Sequence, residues 1–511
     1  MTQDAKPLQR VFGLETEYGI TIDGAESVDV VAESIELVRS YTQAGALMKW
    51  DYHLEDPHRD ARGFRAAELL QDTDESAYFE IDKNRPLTFE EIKSDLVLSN
   101  GARFYNDHAH PEYSTPECTT WREIVAHEKA GERILAECAR RRNLQLPKGQ
   151  MVRLYKNNTD FVGHSYGCHD NYLMRRDVPW NRIVNGVLPF LVTRQIFAGA
   201  GKLGIESESA AGQPGVFQIS QRADFFSVLV SIDTMNKRPL VNTRDEPHAD
   251  PAKYRRFHVI IGDSNMSEWA TALKVGTTSL VLELIERGEV PEVELADPIA
   301  AAKSISRDPD HRWIVELRDG RKLSAIDIQR LYLTAAQRLA SPDADRVWIL
   351  QEWQTVLDDL ERDTELARDR VDWVAKKFLL SALREEEKLS CTDPWLQAID
   401  LEYHHVDAAG GLFFELVRQG SMRRVVSEKE ICAAVANPPA TTRAFFRGRS
   451  VARFHQAIAS LQWDEIVFVQ GKERMRIALN EPSGASLGAL DAAIQETADF
   501  DAFFRAIRAA S

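Results

Sequence analysis

The 511-residue sequence has few cysteines and no excess of positive charge. Its five cysteines lie far apart and form no CxxC or CxxH spacing, so a disulfide framework and a structural zinc site are not indicated. The formal net charge of -16 argues against generic binding to nucleic acid or to an anionic membrane, because both need a large positive field. These features indicate a protein of a reducing compartment with no nucleic-acid or membrane partner.

The sequence also lacks a hydrophobic run long enough to span a bilayer. Its most apolar helical stretch, residues 178–201, is interrupted by Asn, Arg and Pro residues. The first ten residues, MTQDAKPLQR, contain no apolar signal-peptide core, and the chain shows no internal repeat. We therefore expect a cytoplasmic protein, and a monomer is the working expectation for its oligomeric state.

The spacing of apolar, aromatic and β-branched residues predicts an α+β fold. Segments rich in β-branched and aromatic residues at 11–20, 102–106, 151–156, 225–232 and 254–261 predict strands of one large, mainly antiparallel sheet. Apolar residues at three- and four-residue spacings predict helices at 121–142, 178–198 and 268–287, and an almost continuously helical region at 325–388. The helices should back the sheet in a large domain.

Two breaks in the pattern predict the domain organisation. The Pro pair at 438–439 cannot continue a helix, and a strand pair follows around the turn at 470–472. We therefore predict a catalytic domain over 1–433 and a small carboxy-terminal domain over 434–511. Residues 46–96, which include WDYHLEDPHRDARGF, form an unusually long connection between core elements, and we predict an inserted loop over the active face.

The segment VFGLETEYGI places two carboxylates on one side of a predicted strand. Period-two alternation puts Glu15 and Glu17 on one face and the apolar residues on the other. Neighbouring carboxylates repel each other unless a cation neutralises them, and oxygen clusters suit hard ions such as magnesium. An exposed strand face with solvated glutamates remains the alternative interpretation.

A second segment, NGARFYNDHAHPEYSTPEC, alternates a cation, a phenol and a carboxylate. Arg103, Tyr105 and Asp107 share one face of a predicted strand, and Glu112 follows the HAHPE turn. An arginine beside phosphate, an aspartate acting as nucleophile or base, and a glutamate ligand form a coherent group-transfer set. A polar edge strand that ends in a Pro turn is the alternative.

Histidines and arginines in further motifs complete the candidates. Arg256 and His258 share a face of the predicted strand in YRRFHVIIGD, and His169 lies in GHSYGCHDNYL, which favours ligand or phosphate contacts. Arg222 in QISQRADFF and Arg244 in VNTRDEPHAD suit bidentate recognition of carboxylate or phosphate. Taken singly, each arginine also fits an ordinary solvated ion pair.

These segments, in this order, resemble the family formed by the Pup ligase and the depupylase, within the carboxylate-amine ligase superfamily that contains glutamine synthetase. The motifs are GLETEYG, NGARFYNDHAHPEYSTPEC, LYKNN, SYGCHDNYL, QISQRADFF, NTRDEPHAD, YRRFHVIIGD and RAFFRG, and the resemblance extends from residue 11 to about residue 463. It implies a large glutamine synthetase-like domain with a curved, mainly antiparallel sheet and a small carboxy-terminal domain.

The resemblance also implies roles for individual residues. Asp107 matches the catalytic aspartate. The other roles are magnesium ligands at Glu15, Tyr105 and Glu112, further metal or phosphate contacts at Glu17, His169 and His258, nucleotide contacts at Arg103, Thr115 and Trp463, and phosphate or carboxylate contacts at Arg222, Arg244 and Arg256.

The activity implied by the resemblance is hydrolysis of one amide, with ATP and Mg²⁺ as cofactors and with Pup and pupylated proteins as partners. The inserted segment and the short spacing between Asp107 and Glu112 favour depupylation, with deamidation of a terminal Gln of Pup, over ligation. A Pup ligase and a small-molecule γ-glutamyl ligase are the alternatives. Whether Asp107 attacks the carbonyl or activates a phosphate or water stays open.

Overall fold

The computed structural model of the protein describes residues 8–42, 49–69, 85–206, 213–234, 238–339, 343–484 and 487–510. Within them, mixed strands and helices confirm the α+β class. Of the predicted inserted loop, residues 46–48 and 70–84 lie outside the described residues. No helix in the described ranges is both long enough and apolar enough to cross a membrane.

The strands are β1 Phe12–Glu17, β2 Gly19–Asp23, β3 Leu96–Val97, β4 Arg103–Asp107, β5 His110–Ser114, β6 Met151–Tyr155, β7 Cys168–Arg175, β8 Lys202–Ile205, β9 Gln213–Gln218, β10 Val228–Ser231, β11 Pro239–Asn242, β12 Tyr254–Val259, β13 Ile314–Glu316, β14 Lys322–Ser324, β15 Ile458–Leu461, β16 Glu465–Gln470 and β17 Glu473–Ala478.

The helices are α1 Val30–Arg39, α2 Phe89–Lys93, α3 Trp121–Asn143, α4 Trp180–Thr193, α5 Gln195–Ala198, α6 Glu268–Arg287, α7 Pro298–Arg307, α8 Ala325–Gln337, α9 Ala344–Arg362, α10 Asp372–Glu387, α11 Pro394–Glu402, α12 Leu412–Arg418, α13 Glu428–Ala436, α14 Ala444–Phe454, α15 Gly488–Glu496 and α16 Phe500–Ala510.

The central sheet has six strands in the order β12-β7-β1-β5-β4-β3, and every neighbouring pair is antiparallel. The prediction that all strand-like segments join one sheet is wrong in two places. Strand β6 pairs with β2 in a separate two-stranded sheet, and β10 pairs with β11 in parallel. A strand pattern identifies an extended segment but not its partner, because pairing depends on residues distant in sequence.

The sheet buries its apolar face against the helices. Phe12, Leu14 and Thr16 of β1 are buried, as the alternation predicts, and Phe12 and Leu14 belong to the largest hydrophobic cluster. Helix α6 begins after the N-cap Ser267, whose hydroxyl accepts the backbone N–H of Ala270, and ends at Gly288 in the left-handed conformation. With one face of the sheet so covered, the opposite face is left for polar side chains.

Two of the predicted helices match closely and one is divided. Helices α3 and α6 cover the segments predicted at 121–142 and 268–287, and the segment predicted at 178–198 contains α4 and α5. Helix α3 begins with a capping box, in which Thr120 accepts from the Glu123 backbone and the Glu123 carboxylate accepts in return.

A second hydrophobic cluster lies in the carboxy-terminal part of the chain. It contains Phe446, Phe468 and Phe503, together with Trp50 and Val97 from the amino-terminal half. The strand pair predicted around 470–472 is present as β16 and β17, and β15 adds a third strand. The domain boundary at residue 434 stays a prediction.

Candidate active site

The polar face of the central sheet brings together most of the predicted site residues. The strand register sets Glu15 opposite His169, and Glu112 opposite both Glu17 and Tyr105. Residues directly opposite each other in antiparallel strands project to the same face. This face borders a cavity of about 330 Å³ lined by Glu15, Arg103, Tyr105, Asp107, Glu112, His169, Arg244, Arg256, His258 and Trp463 among others.

Glu15, His169 and His258 form one group suited to a metal ion. Each offers a ligand atom within 4.8 Å of the others, and His169 Nδ1 lies 3.4 Å from Glu15 Oε2. Neither ring nitrogen of the buried His258 has a hydrogen-bond partner among the described residues. Burial, followed by the positive charges of Arg256 and His169, holds the pKa of His258 well below its usual range. The ring is therefore neutral, which is the form that binds a metal.

Glu112 and Glu17 form a second acidic position on the same face. Burial and the charges of Asp107, Glu15 and Glu17 raise the pKa of Glu112 well above its usual range. A carboxylate in such surroundings needs a nearby cation to stay ionised. The donor set, oxygen atoms from glutamates beside a phenol, is one that magnesium accepts. The residues present therefore fit a divalent ion.

Tyr105 lies beside Glu112 as a neutral phenol. Its hydroxyl donates to Glu112 Oε1 at 2.8 Å, and burial together with the Glu112 charge raises the pKa of Tyr105 well above its usual range. A phenol oxygen keeps lone pairs while its proton is donated. Its predicted part in metal binding would therefore be that of a neutral oxygen next to the carboxylate.

Asp107 lies at the end of β4, where two basic side chains approach its carboxylate. Lys93 Nζ, at the end of α2, lies 2.7 Å from Oδ1, and His108 Nδ1 lies 3.2 Å from Oδ2. Burial alone would raise the pKa of Asp107, but Lys93 and His108 hold it well below its usual range. One oxygen of Asp107 is also within 4.8 Å of ligand atoms of Glu17 and Glu112. Because Asp107 is already paired with Lys93 and His108, Glu17 and Glu112 are the better candidates in this group for a metal ion.

Arg103 is held by aromatic rings and an acid. Its guanidinium lies 4.0 Å from the ring centre of Trp50 and 3.9 Å from that of Tyr105. Its Nε donates to Asp95 at 2.8 Å and its Nη2 donates to the Tyr52 hydroxyl at 2.8 Å. Arg103 therefore binds the described part of the inserted segment to the sheet, besides facing the cavity where a nucleotide contact was predicted.

The structure separates the three other predicted arginines. Arg256 donates to Glu15 at 3.4 Å and to Asn171 at 3.2 Å, and the buried Nε of Arg244 has no partner in the described part of the chain. Both line the cavity. Arg222 does not line it: its guanidinium is fully buried and donates to the Ile260 carbonyl and to Ser165.

A smaller, mainly apolar cavity of about 90 Å³ adjoins the first and contains the two remaining nucleotide candidates. Thr115 accepts a hydrogen bond from the backbone of Leu14 at 3.0 Å, so this hydroxyl also supports the strand. Trp463 lines both cavities and meets Trp50 edge-on at 5.3 Å. A flat apolar wall beside the polar cavity is suited to a base attached to phosphates.

Several residues of the site were not predicted from sequence. Lys93 and His108 flank Asp107, and His248 lines both cavities with a backbone φ of +44°. The polar residues of the WDYHL segment were a visible signal for the inserted loop, and Tyr52 and Glu55 do line the cavity. Nothing in the local pattern distinguished Lys93 from an ordinary surface lysine.

Comparisons with known proteins identify the family of the chain and relatives of the same fold. The family model described as Pup-ligase protein matches residues 10–467. The chain is 46% identical over 490 residues to a protein of Acidothermus cellulolyticus named depupylase, covering 93% of this chain and 94% of the relative. It is 43% identical over 505 residues to the Pup deamidase/depupylase of Mycolicibacterium smegmatis, covering 96% and 99%. The structure of the Pup ligase PafA in complex with ADP matches with a TM-score of 0.73 and 34% identity, covering 85% of this chain and 96% of that chain.

Proposed function

The chain belongs to the Pup-ligase family, and from this membership we propose that it is a depupylase and Pup deamidase. It would hydrolyse the isopeptide bond between the terminal Glu side chain of Pup and a substrate lysine, and convert a terminal Gln of Pup to Glu. The observation that carries the proposal is the shared face of Glu15, Glu112 and Asp107 beside one cavity, in a chain that matches depupylases over nearly its whole length.

The two ligand groups support magnesium as a cofactor. Glu15, His169 and His258 would hold one ion, and Glu17 and Glu112, with the Tyr105 oxygen, would hold the other. Bound magnesium supplies positive charge that neutralises phosphate oxygens and polarises a carbonyl. The nitrogens of His258 support this fit, because they have no hydrogen-bond partner among the residues that the structure describes and buried polar atoms normally have one.

ATP would occupy the two adjoining cavities. The apolar walls near Thr115 and Trp463 would contact the base, while Arg244 and Arg256 would face the phosphates. Arg103 already holds Trp50 and Asp95, so its main effect on the nucleotide would be through these neighbours. The complex of the related ligase with ADP supports nucleotide binding at this fold.

Asp107 would carry the chemistry as an ionised carboxylate. Lys93 and His108 keep it charged, so it would be ready to attack the isopeptide carbonyl or to activate the oxygen that does. The fixed guanidinium groups of Arg244 and Arg256 would stabilise negative charge that develops in the cavity. ATP would stay bound through many turnovers, because its phosphates and their cations would form part of this fixed set of charges.

Pup ligation is the second candidate function. The related PafA has the same fold, and the site residues of this chain would serve bond formation equally well. A small-molecule γ-glutamyl ligase is the third. A gel assay separates them. The chain is incubated with Mg-ATP and either a pupylated protein or free Pup with the unmodified protein. We expect release of Pup in the first mixture and no conjugate in the second. Conjugate formation alone would establish the ligase.

A further inference from the structure

Cleavage of an isopeptide bond needs a proton donor as well as a nucleophile. The departing lysine nitrogen would leave as a strongly basic amide anion unless it receives a proton as the C–N bond breaks. Asp107, held as a carboxylate by its neighbours, has no proton to give. The following inference rests on the proposed function and asks which side chain supplies that proton.

His108 stands next to Asp107 in an unusual backbone conformation. It occupies the tight turn between β4 and β5 with φ of +55°, a region that non-glycine residues seldom adopt. Its ring lines the cavity, is 49% exposed, and has Nδ1 3.2 Å from Asp107 Oδ2. Backbone strain of this kind is concentrated at active sites, where it positions a side chain.

The other proton-bearing groups near Asp107 are poorly suited to the task. The Asp107 carboxylate raises the pKa of Lys93 against the effect of burial, so this ammonium holds its proton firmly. The pKa of Tyr105 is raised well above its usual range by burial and by Glu112. The ring of His110 is held by other contacts: it stacks on Tyr166 with ring centres 4.5 Å apart, and its Nδ1 lies 3.5 Å from Glu17.

We propose that His108 is a second catalytic residue, which gives the departing lysine nitrogen its proton. Nδ1 faces Asp107, so Nε2 is the nitrogen that would meet the substrate. This is the arrangement in which a carboxylate orients an imidazole for proton transfer.

The step balances with water as the co-reactant. An oxygen of Asp107 first bonds to the carbonyl carbon. The C–N bond then breaks, its electron pair stays on the lysine nitrogen, the proton from Nε2 completes the amine, and the acyl group stays on Asp107. Water then adds its hydroxyl oxygen to the acyl carbon, the bond to Asp107 breaks to restore the carboxylate, and the proton of the water returns to Nε2, which restores the imidazolium. Where Asp107 activates water instead, the hydroxyl oxygen of that water makes the first bond and its proton reaches Nε2 through Asp107. The products are the γ-carboxyl group of Pup and the free lysine amine.

The test uses the full chain carrying His108→Gly, because glycine accepts the positive φ while removing the ring. We expect isopeptide cleavage with Mg-ATP to fall by about 100-fold, as loss of a general acid or base does. Added imidazole should restore at least about tenfold of the loss by entering the space left by the ring. The matched control is His164→Gly, since His164 is 48% exposed and pairs with Asp160 at 2.6 Å, outside the residues that line the cavity. It should keep the wild-type rate.

A second substrate gives an independent reading. Pup carrying a nitrophenyl ester on the γ-carboxyl group has a leaving group that departs as a stable anion without protonation, so His108→Gly should cleave it within about threefold of wild type. Retention of isopeptide cleavage by His108→Gly, a loss that imidazole does not relieve, or an equal loss on both substrates would overturn the inference. Failure of the wild-type chain to cleave the isopeptide would instead contradict the proposed function.

Discussion

At the residue scale, the pKa of each carboxylate in the site depends on which basic side chains lie beside it. Asp107 has Lys93 and His108, and Glu15 has Arg256 and His169. The pKa values follow these partners: those of Asp107 and Glu15 are lowered despite burial, whereas that of Glu112 is raised. Glu112 therefore has the greatest need of an added cation, whereas Asp107 and Glu15 are already neutralised by neighbouring side chains.

Replacing Asp107 by Asn tests the first of these roles. The amide keeps the size of the side chain and removes its charge, so the fold and ATP binding should persist while isopeptide cleavage falls by at least about 100-fold. Asp177→Asn is the control, because Asp177 also pairs with a basic side chain, that of Arg175, but at the exposed surface. Cleavage near the wild-type rate in Asp107→Asn, measured by release of labelled Pup, would exclude the assignment.

Replacing His258 by Leu tests the metal centre. Loss of its nitrogens should weaken magnesium-dependent ATP binding by at least about tenfold, since even groups behind the ligands contribute that much. His127→Leu is a matched control: His127 is also buried, burial lowers its pKa to about 3, and it lies on α3. Titration calorimetry with and without magnesium should separate the two variants, and equal affinities would make His258 a structural residue.

Sequence reasoning was strongest where a single strand carries the information. Alternation alone placed Glu15 and Glu17 on one face, and the β1 register confirms it. It did not find Lys93 or His108, because their importance comes from contacts with Asp107 rather than from local pattern. Arg222 had the same motif quality as Arg244, and only its burial against the Ile260 carbonyl distinguishes them.

At the element scale, buried ion pairs fix the carboxy-terminal helix α14 to the sheet. Glu117, just beyond β5, accepts from Arg443 at 2.7 Å and also pairs with the buried Arg447. Burial would raise the pKa of Glu117, but these two arginines lower it to about 2. The pair lies next to Trp463, whose carbonyl accepts from Arg447 at 3.1 Å, so the element contact also supports the apolar cavity.

Glu117→Gln should therefore destabilise the fold in a pH-dependent way. A carboxyl pKa that falls from 4.5 to about 2 on folding corresponds to about 3 kcal/mol, present above the unfolded pKa and lost as pH falls toward 2. We expect a lower urea midpoint for the variant at pH 7 and a smaller difference at pH 3.

Glu137→Gln is the control for this prediction. Arg140 and Arg141 also lower the pKa of Glu137 to about 2, but this side chain is 36% exposed, so solvent screening should limit its contribution to less than about 1 kcal/mol. Equal effects of the two substitutions, or a difference for Glu117→Gln that does not shrink at pH 3, would show that the buried pair does not hold α14.

The helices and the β16–β17 hairpin were predictable because capping residues, apolar spacing and turn residues lie next to each other in sequence. The membership of β6 and β10 in small separate sheets was not, because the partner strands β2 and β11 are chosen by packing. Helices α4 and α5 were predicted as one helix because only Arg194, itself in the right-handed helical conformation, separates them.

At the scale of the whole molecule, the active site lies where the central sheet meets the carboxy-terminal hydrophobic cluster. Trp50 belongs to the carboxy-terminal cluster, forms a bridge with Leu461, and stacks on Arg103 of the central sheet. Trp463 contacts Trp50 edge-on and lines the cavity at the same place. The sequence predicted a small carboxy-terminal domain but not that the WDYHL segment packs against it, because that contact spans about four hundred residues.

The most direct measurement of the central claim counts Pup released against ATP hydrolysed. The wild-type chain is given an excess of a pupylated protein, a small known amount of ATP and magnesium, and both products are followed in the same reaction. If the nucleotide is a lasting part of the site, several Pup molecules should be released for each ATP hydrolysed, and none when ATP or magnesium is withheld. Release of one Pup for each ATP, release without ATP, or formation of new conjugates in place of release would contradict this account.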